Sequence, residues 1–408
     1  MPRWLKVLVT AAWLAAALSF VTRTLLPAAQ AITYGFMGYY TAAWLLARGE
    51  WTPDAYDDDH FRARVEALTD GQLGDIIGYN PPAVALILFP LAGLSLREAR
   101  WVWTLANAGL LALAGWLIFR AVARTRPVSR WLWLALSALA LADAPLIENI
   151  RFGQVYVLLL CLYAATLWGW ATERDEVTGL GLGLMGLLKA SGLPLWLLLV
   201  TRRWPRPPWR ILAMGAALAL LTLSCLGPAI YVAFLRRVPE ELMSTPWVTL
   251  TVFQSTPSFF AHFLRFESQF NPAPIANWPG VANGLTLTVT AVSLGLTLWR
   301  MRQADLTLAF AAATVLAVVL FPVAEQYHST LLLLPLSVLA ADLVASGARW
   351  RWIAGWAVAA ALLALPLPYQ TPRLSQGWLS LLAYPRLYGG WLLWALLMLR
   401  SKSAPPEA

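Results

Sequence analysis

Residues 154–172 read QVYVLLLCLYAATLWGWAT, nineteen positions without an Asp, Glu, Lys, Arg or His. As a helix rising about 1.5 Å per residue, the run is roughly 28 Å long, close to the ~30 Å hydrocarbon thickness of a bilayer. Its apolar residues are continuous rather than alternating, which favours a membrane helix over a barrel strand. Similar runs recur near residues 4–26, 80–96, 101–119, 131–147, 178–200, 210–235, 281–299, 304–322, 329–346, 350–366 and 388–400. Of the 408 residues, 59% are hydrophobic and only 12% charged. A soluble globular chain carries about 25% charged residues, so this one lacks the polar surface to cover itself in water. The reading is an all-α polytopic membrane protein with about eleven to twelve transmembrane helices in a single domain, residues 1–408.

The first run follows Arg3 and Lys6 as a signal peptide would, but it is too long for an ordinary signal core and is read as a retained span. Cys161 and Cys225 both sit inside apolar runs, which argues against a disulfide and leaves too few thiols for a cysteine metal site. The net charge of +9 does not imply nucleic acid, because the basic residues lie in short loops beside spans. The 23 tryptophans fit interfacial belts. Basic clusters at residues 202–206, 300–302, 349–351 and 400–402 are each two spans from the next, so all belong on the cytoplasmic side. That places loop 236–280 and the segment around His328 outside. Counting spans from Arg3, however, puts Arg120, Arg124, Arg126 and Arg130 outside, against the basic rule. One run, 80–96 or the glycine-rich 178–200, is therefore expected to be re-entrant or broken.

Residues 27–79 form a first outer loop. Within it, Tyr39-Tyr40-Thr41-Ala42-Ala43-Trp44-Leu45-Leu46 is too short to span and reads as an interfacial helix. An acidic stretch follows, with Asp54, Asp57, Asp58, Asp59, Glu66, Asp70 and Asp75. Ionisable side chains in apolar runs are costly and point to function or to pairing inside the bundle. They are Asp143, Glu148, Arg151, Lys189, Glu325, His328 and Asp342. Asp342 lies near a span end, where capping or snorkelling accounts for it. Glu148 and Arg151 could simply pair across a turn. Lys189 is too far from either end to snorkel easily, and His328 with Glu325 and Tyr327 is suited to proton transfer or phosphate contact.

The sequence has no P-loop or glycine fingerprint for a nucleotide. An enzyme of this kind would draw its activated substrate through the lipid. With a sugar on a lipid phosphate the leaving group is already good. The protein would then need a carboxylate base for the acceptor and cations or His for the phosphate.

Several segments resemble glycosyltransferase family 87, polyprenol-phosphate-mannose-dependent transferases of GT-C fold. Phe36-Met37-Gly38-Tyr39-Tyr40-Thr41-Ala42-Ala43 with Gly49 and Tyr56 is similar to the family's first-loop pattern. Tyr79-Asn80-Pro81-Pro82, Pro90-Leu91, Trp101 or Trp103 and Asn107 follow its next segment. Gly153-Gln154-Val155-Tyr156 resembles "GQVN", and Lys189 with Pro194 resembles "KxxP". Gln254-Ser255 with Arg265 is similar to the outer-loop "NQS…R", and Glu325-Gln326-Tyr327-His328 before Leu331 resembles "WxHH…LLLPL". The resemblance implies a hexosyltransferase, mannose by default, in a bacterial cytoplasmic (inner) membrane with its active site facing outward. Its partners would be a polyprenyl-phosphate sugar donor and a glycolipid or envelope-glycan acceptor, with no cofactor and no metal. Tyr39, Tyr40, Tyr79, Gln154, Lys189, Gln254, Arg265, Glu325 and Tyr327 are the implied substrate contacts. His328 is an implied catalytic group. Where the pattern has its basic aspartate, this chain has Gly35. The expected base is then Asp57, Asp58 or Asp59, or else Glu148. Without a base, the same cavity would suit a transporter or flippase for a lipid-linked sugar.

Overall fold

The computed structural model describes residues 2–78, 80–189, 191–201, 208–244 and 246–401. Among them the regular structure is helical, with one isolated β-bridge between Glu267 and Asn271. Helices Arg3–Gln30, Leu96–Val122, Trp209–Leu226, Pro279–Met301 and Gln326–Ala345 are each long and apolar enough to cross a membrane. Arg130–Leu141 and Ala144–Phe152, bent by 52°, make a sixth if taken as one span. Tyr156–Ala171, Leu306–Val319 and Trp350–Ala364 are shorter apolar helices. The chain is thus an all-α, polytopic integral membrane protein.

Burial runs in the sense a bilayer requires. Leu306–Val319 is buried along almost its whole length, as is most of Gln326–Ala345. The outer helices expose leucines and valines, among them Leu14, Leu18, Leu220, Leu221, Leu287 and Val292. In water this apolar surface would aggregate; in lipid it is matched.

Two apolar runs do not form single crossing helices. Residues 80–96 fold as short 3₁₀ turns, Pro82–Leu86 and Phe89–Leu91, because Pro82 and Pro90 lack the N–H that helix propagation needs. Residues 178–200 divide into Asp175–Lys189 and Leu193–Thr201, with Gly192 at φ +86° in the gap and Pro194 opening the second helix. Since 80–96 does not cross, Leu96–Val122 is the second crossing, and the arginines beyond it return to the side of Arg3. Arg126 confirms the grouping. It pairs with Asp305 at 2.8 Å and Asp342 at 3.2 Å, and Asp342 also holds Arg400 at 2.8 Å. Arg300 donates to the Met398 carbonyl at 2.6 Å at the same end. The basic cluster at 202–206 lies outside the described residues.

At the opposite end a buried arginine fastens the helices together. Arg100 Nε donates to the carbonyls of Ala28 and Ala31, and its Nη2 to those of Ile150 and Arg151. These carbonyls lie at the C-terminal ends of two helices, where N–H partners run short, although Ala28 and Ile150 also accept turn bonds from Ala31 and Gly153. Pro27 sets a related device. Its ring excludes a regular turn onto residue 23, the helix widens to a π turn at Val21–Leu25, and the Arg23 carbonyl accepts from Arg151 instead.

Residues 34–47 do form a helix, Tyr34–Ala47. Most of it is buried in protein, packed on the 3₁₀ turns of residues 82–91 and on Asp58–Leu68. Its first turns, near the Arg100 clamp, face a cavity.

Candidate functional site

The cavity has a volume of about 360 Å³ and lies at the Arg100 end of the bundle. Four parts of the chain wall it: the start of Tyr34–Ala47, residues 75–78 with Asn80, the turn around Gln154, and Val323, Glu325 and Tyr327. Lys189 enters from the end of its helix, with Trp247 and Phe253 contributed by the 236–280 loop.

Lys189 is buried and donates its Nζ to Asn80 Oδ1 at 2.6 Å. The ammonium also lies 5.7 Å from the ring centre of Tyr39 and 5.6 Å from that of Tyr156, within cation–π range. Asn80 is itself fixed, its Nδ2 donating to the Ile77 carbonyl and its own carbonyl accepting from Tyr56. Across the cavity Glu325 attracts Lys189 and accepts from the Tyr327 hydroxyl at 2.7 Å. Tyr39 donates to Gln154 Oε1 at 3.0 Å. The structure therefore brings together Tyr39, Gln154, Lys189, Glu325 and Tyr327, which sequence reading had named.

Gly35 and Gly38 make this fit possible. A Cβ at Gly35 would lie 2.5 Å from Gln154 Nε2 and 2.9 Å from the Phe152 carbonyl oxygen. The space a larger residue would take is held by Gln154. At Gly38 a Cβ would lie 3.1 Å from Asp75 Oδ2, the atom that accepts the Gly38 N–H at 3.1 Å. Asp75 Oδ1 accepts the Ile76 N–H at 2.9 Å. Burial pushes the Asp75 carboxyl up to about 7, with the nearby Glu325 charge adding to the rise and the two N–H bonds opposing it. Sequence reading saw Asp75 only as one acid among several in the loop. The nearest signal was its place four residues before Tyr79-Asn80-Pro81-Pro82.

Other named residues are placed elsewhere. Asp57 caps Asp58–Leu68 by accepting the His60 N–H, Asp59 pairs with Arg62 at the surface, and Asp58 pairs with Arg237 at 2.5 Å. None of the three lines the cavity. Glu148, on Ala144–Phe152, faces Gln326 in a neighbouring polar cluster with Arg386. Tyr40 turns away and donates to the Leu94 carbonyl at 2.7 Å. Gln254 is a strap, donating to the carbonyls of Thr251 and Ala383 and accepting the Arg386 N–H. Arg265 reaches Asn283 at the exposed surface, 3.4 Å away. Tyr79 lies outside the described residues. His328 sits one ring behind the wall, its centroid 4.1 Å from Tyr156 and 4.9 Å from Tyr327. Neither of its ring nitrogens has a hydrogen-bond partner among the described residues.

The site thus holds a desolvated cation, two carboxylates and aromatic walls. No curated protein and no solved structure matches the chain. The model of glycosyltransferase family 87 matches residues 79–324, more than half of the chain, spanning Asn80, Gln154 and Lys189 and stopping just short of Glu325. The chain belongs to glycosyltransferase family 87 and is a membrane glycosyltransferase.

Proposed function

We propose that the protein transfers a hexose, mannose by family default, from a polyprenyl-phosphate donor to a glycolipid or envelope-glycan acceptor on the outer face of a bacterial inner membrane. The observation that carries this reading is Lys189, a buried ammonium in a sugar-sized cavity within a chain that lacks any nucleotide-binding motif. Small-molecule sites run to roughly 300–1,000 Å³, and this one falls at the lower end. In a desolvated site one lysine acts strongly on a phosphate, as a point charge without the guanidinium's fork. Tyr39, Trp247, Phe253 and Tyr327 offer flat apolar faces for a sugar ring.

In this reading the acceptor oxygen bonds to the anomeric carbon as the bond from that carbon to the phosphate oxygen breaks. The leaving lipid phosphate keeps the electron pair, and Lys189 neutralises the charge that develops there. Glu325 and Asn80 hold the ammonium in place, and Gln154 with Tyr39 fixes the sugar. His328 supports the wall through its stack on Tyr327.

The test uses the full chain purified in detergent, with radiolabelled polyprenyl-phosphate mannose as donor and octyl mannoside as acceptor. Labelled disaccharide glycoside is expected. Product formed from a nucleotide sugar but not from the lipid-linked donor would overturn the reading.

A further inference from the structure

We infer that Asp75 is the catalytic base, accepting the acceptor hydroxyl's proton as its oxygen attacks the sugar. This rests on the transfer reading above and assigns its remaining role. Two carboxylates, Asp75 and Glu325, line the cavity. Glu325 is already engaged, accepting from the Tyr327 hydroxyl and facing the Lys189 charge. Asp75 is held by two backbone N–H groups, from Gly38 and Ile76, which orient the carboxylate while leaving lone pairs on both oxygens. The Tyr34–Ala47 helix bears no carboxylate of its own at this wall, since Gly35 is backed by Gln154 and Gly38 by Asp75. The loop acid therefore sits against the helix at Gly38, about one turn from Gly35, and faces the same cavity.

The chemistry balances. The acceptor O–H breaks and its proton passes to Asp75, the oxygen–carbon bond forms, and lipid phosphate leaves with the pair from the broken bond. A base whose proton leaves near neutrality is well matched to this work at neutral pH. The other titratable groups that face or back Asp75 are Glu325, Lys189, Tyr34, Tyr39 and Tyr327 around the cavity and Arg62 and Glu66 behind Gly74.

The experiment compares the wild type with Asp75→Asn and Asp75→Glu, measuring both equilibrium binding of the labelled lipid-linked mannose and transfer to octyl mannoside. Asp75→Asn is expected to bind the donor within about threefold of wild type and to lose transfer by about a hundredfold or more, the usual range for a general base. Asp75→Glu is expected to restore part of the loss. Wild-type kcat/KM is expected to rise with pH through about 7, because the base acts only when deprotonated. If wild type transfers and Asp75→Asn keeps more than a third of that rate, the base assignment is lost while the transfer reading stands. If Asp75→Asn neither binds nor transfers, Asp75→Glu decides: recovered binding without transfer or with a flat pH profile also overturns the assignment. A wild type that binds the donor and forms no product overturns the transfer reading itself.

Discussion

Lys189→Met keeps the length of the side chain and removes its charge. Transfer from the lipid-linked donor is expected to fall by about a hundredfold, the scale of losing one electrostatic stabiliser of the transition state. Lys189→Arg is not expected to rescue it, because the broader guanidinium does not fit between Tyr39 and Tyr156 on the Asn80 contact. A second residue-scale expectation concerns Gly35. Gly35→Asp forces Gln154 aside and should lower the thermal midpoint, with overpacking costing about 1–3 kcal/mol. Adding Gln154→Ala should recover much of that midpoint. Lys189 was legible in the sequence because a charge inside an apolar run is conspicuous, and Gln154 because it followed a recognisable glycine. Asp75 was not. In a loop with eight acids, nothing in the order of residues says which one folds back beneath a helix; only the N–H groups of Gly38 and Ile76 do.

Among the elements, the Arg100 clamp carries the clearest energetic consequence. Arg100→Met leaves the carbonyls of Ala28, Ala31, Ile150 and Arg151 without their shared donor. Buried charge-assisted bonds are worth about 1.5–3 kcal/mol each, and they overlap rather than add. A loss on the order of 3 kcal/mol is expected, measurable as a lower midpoint of thermal unfolding in detergent. Sequence periodicity located nearly all the helices, yet it could say only that either 80–96 or 178–200 was broken. In 80–96 the apolar content was the same as in true spans, and the difference lay in Pro81, Pro82 and Pro90, which interrupt a ladder that hydropathy does not see. Likewise the run from Tyr39 to Leu46 was recognised as too short to cross. Its burial against the turns of residues 82–91 is a tertiary fact beyond local pattern.

For the whole molecule, the ion-pair cluster and the cavity mark opposite ends. Leu96 and Val122 are 26 residues apart, which at about 1.5 Å per residue separates the two ends by roughly 39 Å. The pairing of Arg126 with Asp305 and Asp342, and of Asp342 with Arg400, therefore fixes four helix ends on one face. Reporters inserted after Thr125 and fused after Ser401 are expected to report the same compartment, and one inserted at Asp70 the other. Alkaline phosphatase and fluorescent-protein fusions would check this, and a split between the Thr125 and Ser401 reporters would refute the topology. The count of crossings had been ambiguous in the sequence because either 80–96 or 178–200 was expected to be broken. The structure interrupts both, with Pro82 and Pro90 in the first and Gly192 and Pro194 in the second. The two changes together keep Arg126 and Arg400 at one end.

The cavity walls come from residues as far apart as Gly35 and Glu325, a separation of 290 positions. At synthesis rates of about 5–20 residues per second, the ribosome needs roughly 15–60 seconds to pass from one to the other. Lys189 is made well before Glu325, so the partners already synthesised when it emerges are Tyr39, Asn80 and Tyr156, with Asn80 held by Tyr56. The order of synthesis thus places the carboxylate last: the polar and aromatic half of the Lys189 contacts precedes the lysine along the chain, and Glu325 follows it.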